Sequence, residues 1–155
     1  MAKAEITGPI EGEVQVVAFK LRDEEYGFDI LNVREIKGLT DITRVPFASD
    51  FIKGVINLRG SVLPVIDLKR RLGLLDTPYT SDTRIVIVKS EDIEVGMIVD
   101  AVTEVITLDT EHIEATKTVS AGERSQFIRG IGKMDDRLII MLNLDEIVGV
   151  SDEIK

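Results

Sequence analysis

Residues 51–74, FIKGVINLRGSVLPVIDLKRRLGL, are repeated in altered form at residues 127–150, FIRGIGKMDDRLIIMLNLDEIVGV. At this offset of 76 positions, five residues of the first segment recur unchanged: Phe51, Ile52, Gly54, Leu68 and Gly73. The repeat extends upstream, where residues 17–39 match residues 86–108 at an offset of 69. A duplication of this length indicates two related structural units.

The offsets predict the limits of the two units. We expect residues 14–74 and 83–150 to form two subdomains, with residues 1–13 and 151–155 as flexible tails. Units of about 60 residues are close to the lower limit for an independent core, so the halves are expected to share an interface. Exchange of a strand between the subdomains, near residues 75–82, is an open alternative.

The residue pattern within each unit predicts short strands. Runs such as VQVVAFKL at 14–21 and IVIV at 85–88 are rich in β-branched residues and end at polar turns. Asp67 followed by Gly73, and Asn143 in the equivalent place, predict one short helix per unit. Pro64 lacks a ladder donor, which predicts an edge strand or a bulge. The fold class is therefore all-β, with about five antiparallel strands curled into a barrel in each unit.

The tripeptides Arg59-Gly60-Ser61 and Asp135-Asp136-Arg137 lie between paired strands and predict tight hairpins. The sequence has no apolar run long enough to cross a bilayer, and residues 1–13 are polar, so we expect neither a membrane span nor a signal peptide. The chain has no cysteine, which excludes disulfides and thiol catalysis and is typical of a cytoplasmic protein.

The charge is unevenly distributed. Residues 14–74 carry ten Lys/Arg against eight Asp/Glu, whereas residues 75–155 carry eight against seventeen. A net charge of −9 without a basic stripe argues against nucleic acid as a partner. The asymmetry suits contact with other proteins, although a solvated acidic surface explains it equally well.

Catalytic chemistry finds little support. His112 is the sole histidine and has no second ligand for a metal site. Asp135 and Asp136 form a carboxylate pair, but their place in the repeat favours a turn. Phosphate-binding glycine motifs are absent from the sequence. We therefore expect no enzyme activity, cofactor or metal.

The segment GVINLRGSVLPVIDLKRRLGL, preceded by EEYGFDILNVREIKGLTDITRVP and followed by DDRLIIMLNLDEI, resembles the CheW family of bacterial chemotaxis coupling proteins. The resemblance covers practically the whole chain. It implies two SH3-like five-stranded barrels and a non-catalytic adaptor, monomeric when free, that joins the cytoplasmic tip of chemoreceptors to the regulatory domain of the histidine kinase CheA. It also implies a cytoplasmic protein recruited to membrane-associated receptor arrays, without membrane insertion.

The resemblance implies a receptor-binding groove at seven positions: Val33, Glu35, Ile36, Gly54, Asn57, Leu58 and Arg59. The residues alone leave alternatives open. Arg59 can fork onto a receptor carboxylate or onto Glu35 of its own chain. The amide of Asn57 is either a contact or a group satisfied by backbone. Val33 and Ile36 also suit a core.

Two loops that differ between the repeats, 43–49 and 115–126, are the candidate kinase contacts. The candidate residues are Val45, Pro46, Phe47, Glu114, Lys117 and Val119. The first loop is unusually apolar, and a plug over one end of a barrel is an alternative role for it.

Two further functions stay open. The same fold can serve a related array that controls pili or gliding motility, which the sequence cannot separate from chemotaxis. A groove that binds a small ligand or carries out catalysis is a more remote alternative.

Overall fold

The structure is a computed structural model and describes residues 12–115 and 125–149. In these residues it contains eleven strands: β1 Glu13–Leu21, β2 Glu24–Asp29, β3 Val33–Gly38, β4 Ile52–Leu58, β5 Ser61–Asp67, β6 Arg84–Ser90, β7 Ile93–Val99, β8 Ala101–Asp109, β9 Ile113–Ala115, β10 Ile128–Met134 and β11 Arg137–Leu142. The predicted mainly-β class is confirmed.

Two short helices occupy equivalent places in the repeat, α1 at Leu68–Leu72 and α2 at Leu144–Val148. Asp67 caps α1 by accepting a hydrogen bond from the Arg70 amide, and Asn143 caps α2 in the same way. Each helix ends at a glycine in the left-handed region, Gly73 or Gly149. Both helices were predicted from these residues, because capping chemistry is local in sequence.

The strands form two curled sheets. The first has the order β8-β1-β2-β11-β10-β9, and the second has the order β3-β6-β7-β5-β4. The repeat relates β8 to β3, β1 to β6, β2 to β7, β11 to β5 and β10 to β4, so five strands follow one order in both sheets. Each sheet therefore combines the first two of these strands from one repeat with the last three from the other, and the first sheet has β9 as a sixth strand.

This exchange of strands between the repeats concerns two expectations, the direction of the strands and the limits of the subdomains. The pairs β5–β7 and β11–β2 are parallel, so the prediction of wholly antiparallel barrels was wrong. Because these partners come from different repeats, no hairpin fixes their relative direction. The predicted subdomain limits, 14–74 and 83–150, follow the two repeats. Each sheet, in contrast, contains strands from both repeats. The division into subdomains stays a prediction.

The sheet order decides between the two alternatives for Pro64. Its strand, β5, lies inside the sheet between β7 and β4, so the edge-strand alternative is wrong. The β4–β5 ladder has an irregularity between Ile52 and Gly54, opposite Ile66 and Val65, next to Pro64. The parallel pairing with β7 covers Val65–Asp67 and begins immediately after Pro64. Pro64 has no amide hydrogen, but this removes no hydrogen bond from the parallel β5–β7 ladder, which starts one residue later.

The largest apolar cluster joins the two sheets. It contains buried residues of both repeats, including Phe19, Phe51, Met97, Phe127 and Ile147. A smaller cluster lies inside each sheet, around Ile139 in the first and around Ile85 in the second. The halves therefore share a core, as expected from their size. Across 12–115 and 125–149, no helix is both long and apolar enough to span a membrane.

Candidate functional site

An ion pair connects the two edges of the second sheet. Strand β3 lies at one edge and β4 at the other. Arg59, at the tip of the β4–β5 hairpin, donates from Nη2 to Oε1 of Glu35 on β3. This contact joins the two strands that carry the predicted receptor-binding residues. We call these seven residues the β3–β4 patch: Val33, Glu35, Ile36, Gly54, Asn57, Leu58 and Arg59.

The hairpin holds Arg59 in a defined position. Arg59 and Gly60 have φ values of 50° and 89°, as required at both central residues of a type I′ turn. The amide of Gly60 donates to Oδ1 of Asn57 at 3.0 Å. Asn57 is exposed, so its side chain is not on the core side, but its oxygen is satisfied by backbone. This polar bond rigidifies the turn that presents Arg59.

The ion pair changes the titration of both partners. The hydrogen bond from Arg59 is the main cause that lowers the pKa of the Glu35 carboxyl below its ordinary value, and it raises the pKa of Arg59. Glu35 therefore stays ionised over a wider pH range. Most of the Arg59 side chain is exposed, which leaves its remaining donors available to a partner.

The apolar residues of the β3–β4 patch divide into two groups. Val33 is half-buried and packs against the shared core, and Leu58 is half-buried against the core of the second sheet. Ile36 is 41% exposed. The core alternative therefore holds for Val33, whereas Ile36 offers apolar surface to solvent.

Val62 belongs to the same surface and was missed from sequence. It pairs with Asn57 in the β4–β5 ladder and is 65% exposed. Leu63 and Val65 are buried, and period-two alternation places Val62 on the opposite face of the strand. Because Val62, Leu63, Val65 and Ile66 are all apolar, the sequence does not indicate which face is exposed.

Gly54 contributes backbone rather than a side chain. A Cβ atom at this position would lie 2.2 Å from the carbonyl oxygen of Thr43. The absence of that atom lets residue 43 bond to Val55, at 2.9 Å and 2.8 Å, and cover the edge of β4. Gly130 is the repeat equivalent, and a Cβ atom there would lie 2.5 Å from the carbonyl oxygen of Glu114. Gly54 therefore shapes the patch without forming contacts on it.

The first predicted kinase loop is open to solvent. Val45, Pro46 and Phe47 are all exposed, and Phe47 fully so. Ile42 instead packs against the core of the second sheet. The alternative role as a plug over a barrel end is therefore wrong for residues 45–47.

The second predicted kinase loop is only partly described. Glu114 lies on β9 and pairs with Lys133 on β10, with 3.1 Å between Oε2 and Nζ. Lys117 and Val119 lie outside the described residues. Glu114 is exposed and available to a partner only in competition with Lys133.

The candidate catalytic residues lie in exposed turns. His112 is exposed in the 3-10 turn Thr110–His112, and Asp135 and Asp136 form the tip of the β10–β11 hairpin. Within the described residues, no three His, Asp or Glu side chains are grouped so as to hold a metal ion.

Comparison with known proteins identifies the family of this chain. The CheW-like domain family matches residues 15–151, which contain the whole β3–β4 patch and both sheets except the first two residues of β1. The chain belongs to the CheW-like family. The resemblance found in the NLRG and VLPVIDL motifs is thereby confirmed.

Several CheW proteins are similar over nearly their full length. The probable chemotaxis protein CheW of Rhizobium etli is 38% identical, with 87% of each chain covered. The chemotaxis protein CheW of Bacillus subtilis is 36% identical, with 92% of each chain covered. Among solved structures, the scaffolding protein TtCheW of Thermoanaerobacter tengcongensis has a TM-score of 0.83 at 41% identity, covering 90% of this chain and 96% of the other.

Proposed function

We propose that this chain is a non-catalytic adaptor that couples chemoreceptors to the histidine kinase CheA. The observation that carries the proposal is the match to CheW chemotaxis and scaffolding proteins over about nine-tenths of the chain. A scaffold needs two binding surfaces and no reacting groups. The described residues offer exposed apolar and charged surfaces, and among them no three His, Asp or Glu side chains are grouped so as to hold a metal ion.

The β3–β4 patch is the receptor site in this proposal. Ile36 and Val62 supply exposed apolar surface beside the Arg59–Glu35 ion pair. Amphipathic helices bind by laying an apolar face into such a surface, with charged groups at the rim. The occupant is a helix of the receptor tip, and a carboxylate on that helix accepts from the donors of Arg59 that Glu35 leaves free, while Glu35 holds the guanidinium in position.

The kinase site comprises the loop at Val45, Pro46 and Phe47, together with the region of Glu114, Lys117 and Val119. These segments differ between the repeats, so they can make two different contacts. The adaptor is cytoplasmic and a monomer when free, and it reaches the membrane by joining receptor arrays.

Binding measurements test the proposal. Purified chain is titrated with a receptor-tip fragment and, separately, with the regulatory domain of CheA. We expect binding to both, and we expect Arg59→Ala and Glu35→Ala to weaken only receptor binding, by roughly tenfold, the effect of losing a hot-spot contact.

Arg22→Ala is the matched control. Arg22 is exposed in the β1–β2 turn of the first sheet, where its Nη1 donates to the carbonyl of Leu75 at 3.4 Å. It should leave both affinities unchanged. The adaptor function is rejected if the unmodified chain binds neither partner.

A further inference from the structure

A concavity of about 630 Å³ lies between the β3–β4 loop and helix α1. Arg44, Lys53 and Arg70 line it against one carboxylate, Asp50. Three positive charges and one negative charge give this lining a formal charge of +2, in a chain of −9. Concave surfaces with one sign of charge attract ligands of the opposite sign, so this loop concavity favours an acidic ligand.

The three cations are engaged to different degrees. Arg70 is neutralised within the chain by Asp76 at 3.1 Å and by Asp50 at 3.9 Å. Lys53 has its Nζ 5.3 Å from the centroid of the Tyr79 ring, which leaves its charge uncompensated. Within the described part of the chain, the ion pairs include neither Lys53 nor the exposed Arg44. Arg44 and Lys53 therefore supply the positive field of the concavity.

Phe47, at the rim of this concavity, combines two unfavourable features. Its side chain is fully exposed, and its backbone has a φ of 66°, in the left-handed region that bulky residues avoid. An exposed phenyl ring forgoes burial that other apolar residues obtain. Strain and exposure at one surface residue are typical of a group whose packing is completed by a partner.

We propose that the loop concavity binds an acidic surface of the kinase regulatory domain, with Phe47 inserted into an apolar recess of that surface. Arg44 and Lys53 then face carboxylates around the recess. Aromatic anchors surrounded by charged groups dominate the energy of many interfaces. This inference rests on the proposed function and adds the chemistry of the kinase contact.

The test measures the affinity of the full chain for the CheA regulatory domain at about 50 mM and about 300 mM salt. Phe47→Gly should weaken binding at least about tenfold. Its melting temperature should be unchanged or higher, because glycine accepts a positive φ. Phe47→Leu should retain most of the affinity. Arg44→Glu should weaken binding strongly at low salt and less at high salt, because salt screens exposed charges.

Two control variants carry comparable changes away from the concavity. Leu75→Ala removes another exposed apolar side chain, and Lys20→Glu reverses another exposed cation, on β1. Both should bind the regulatory domain within about twofold of the unmodified chain, as is usual outside hot spots. Phe47→Gly should also leave receptor-fragment binding unchanged.

The outcomes separate the inference from the function on which it rests. If the unmodified chain binds the regulatory domain and Phe47→Gly binds equally well, the inference is overturned while the adaptor function stands. If Arg44→Glu weakens binding equally at both salt concentrations, the acidic character of the partner surface is overturned. Failure of the unmodified chain to bind the domain removes both the inference and the kinase contact.

Discussion

The guanidinium carbon of Arg71 lies 4.2 Å from the centroid of the Phe51 ring. The same group lies 4.9 Å from the ring of Phe127, the repeat equivalent of Phe51. Its Nε donates to the carbonyl of Ile147 at 2.9 Å, near the end of α2. One side chain of the first repeat thus contacts both equivalent phenylalanines and supports the helix of the second repeat.

Replacing Arg71 should destabilise the fold. Arg71→Met removes two cation–π contacts and the donor to Ile147, and we expect the free energy of unfolding to fall by about 1–3 kcal/mol. Chemical denaturation measures this change. Arg70→Met, on the same helix with exposed ion pairs, should cost less than about 1 kcal/mol. Equal losses for the two variants would contradict this role for Arg71.

The two sheets should unfold together. Each sheet needs strands from both repeats, and the largest apolar cluster joins residues of both sheets. Neither repeat can therefore complete a sheet without the other. We expect a single transition in calorimetry, with equal calorimetric and van't Hoff enthalpies. Two resolved transitions would show instead that the sheets are independent.

Gly54 should not tolerate a side chain. Its φ is 155°, and a Cβ would lie 2.2 Å from the Thr43 carbonyl oxygen, which is backbone and cannot move aside cheaply. We expect Gly54→Ala to lower the free energy of unfolding by about 2–3 kcal/mol. Gly38→Ala is the control, since its Cβ would meet nothing within 4 Å. A neutral Gly54→Ala would disprove the close approach of residue 43.

Lys69 and Asp100 should respond unequally to replacement. Lys69 is 2% exposed, and its Nζ lies 2.7 Å from Oδ1 of Asp100, whose side chain retains contact with solvent. Asp100→Ala leaves the buried ammonium with the neutral hydroxyl of Thr77 in place of a carboxylate, removes the acceptor of the Arg22 amide, and should cost about 3–5 kcal/mol. Lys69→Met removes the buried charge itself and should cost less. Denaturant titration of both variants checks this order, and the reverse order would contradict it.

Glu25 should make stability depend on pH through Arg137. Arg137 donates from Nε and Nη2 to the two carboxylate oxygens of Glu25, at 3.0 Å and 2.8 Å. These bonds are the main cause that lowers the pKa of Glu25 below its ordinary value of 4.5. A lowered pKa in the folded state means that the stabilisation is complete above pH 4.5 and is lost as the pH falls below it.

Arg137→Gln should therefore cost about 2 kcal/mol near pH 7, the usual loss for hydrogen bonds to a charged group. The difference from the unmodified chain should shrink in strongly acidic buffer, where Glu25 is protonated in both proteins. Urea denaturation across the acidic range measures this difference. A difference independent of pH would show that packing, rather than charge, explains the loss.

Much of the fold was predictable from local chemistry. The strands follow period-two alternation, the helix ends follow Asp67, Asn143 and their glycines, and the hairpin tips follow Arg59-Gly60 and Asp135-Asp136. The candidate site was predictable only by resemblance. Val62 shows why, because burial of one face of a strand depends on what covers it.

The sequence by itself determined that the chain is a duplicated β protein with matched caps and turns, because these features depend on residues a few positions apart. Only the tertiary structure decided that β1–β2 and β6–β7 exchange places between the sheets. Alternation and turns are compatible with either partner, so the choice depends on packing between distant segments. The Arg59–Glu35 ion pair also depends on the tertiary structure, because its residues are 24 positions apart and belong to strands at opposite edges of one sheet.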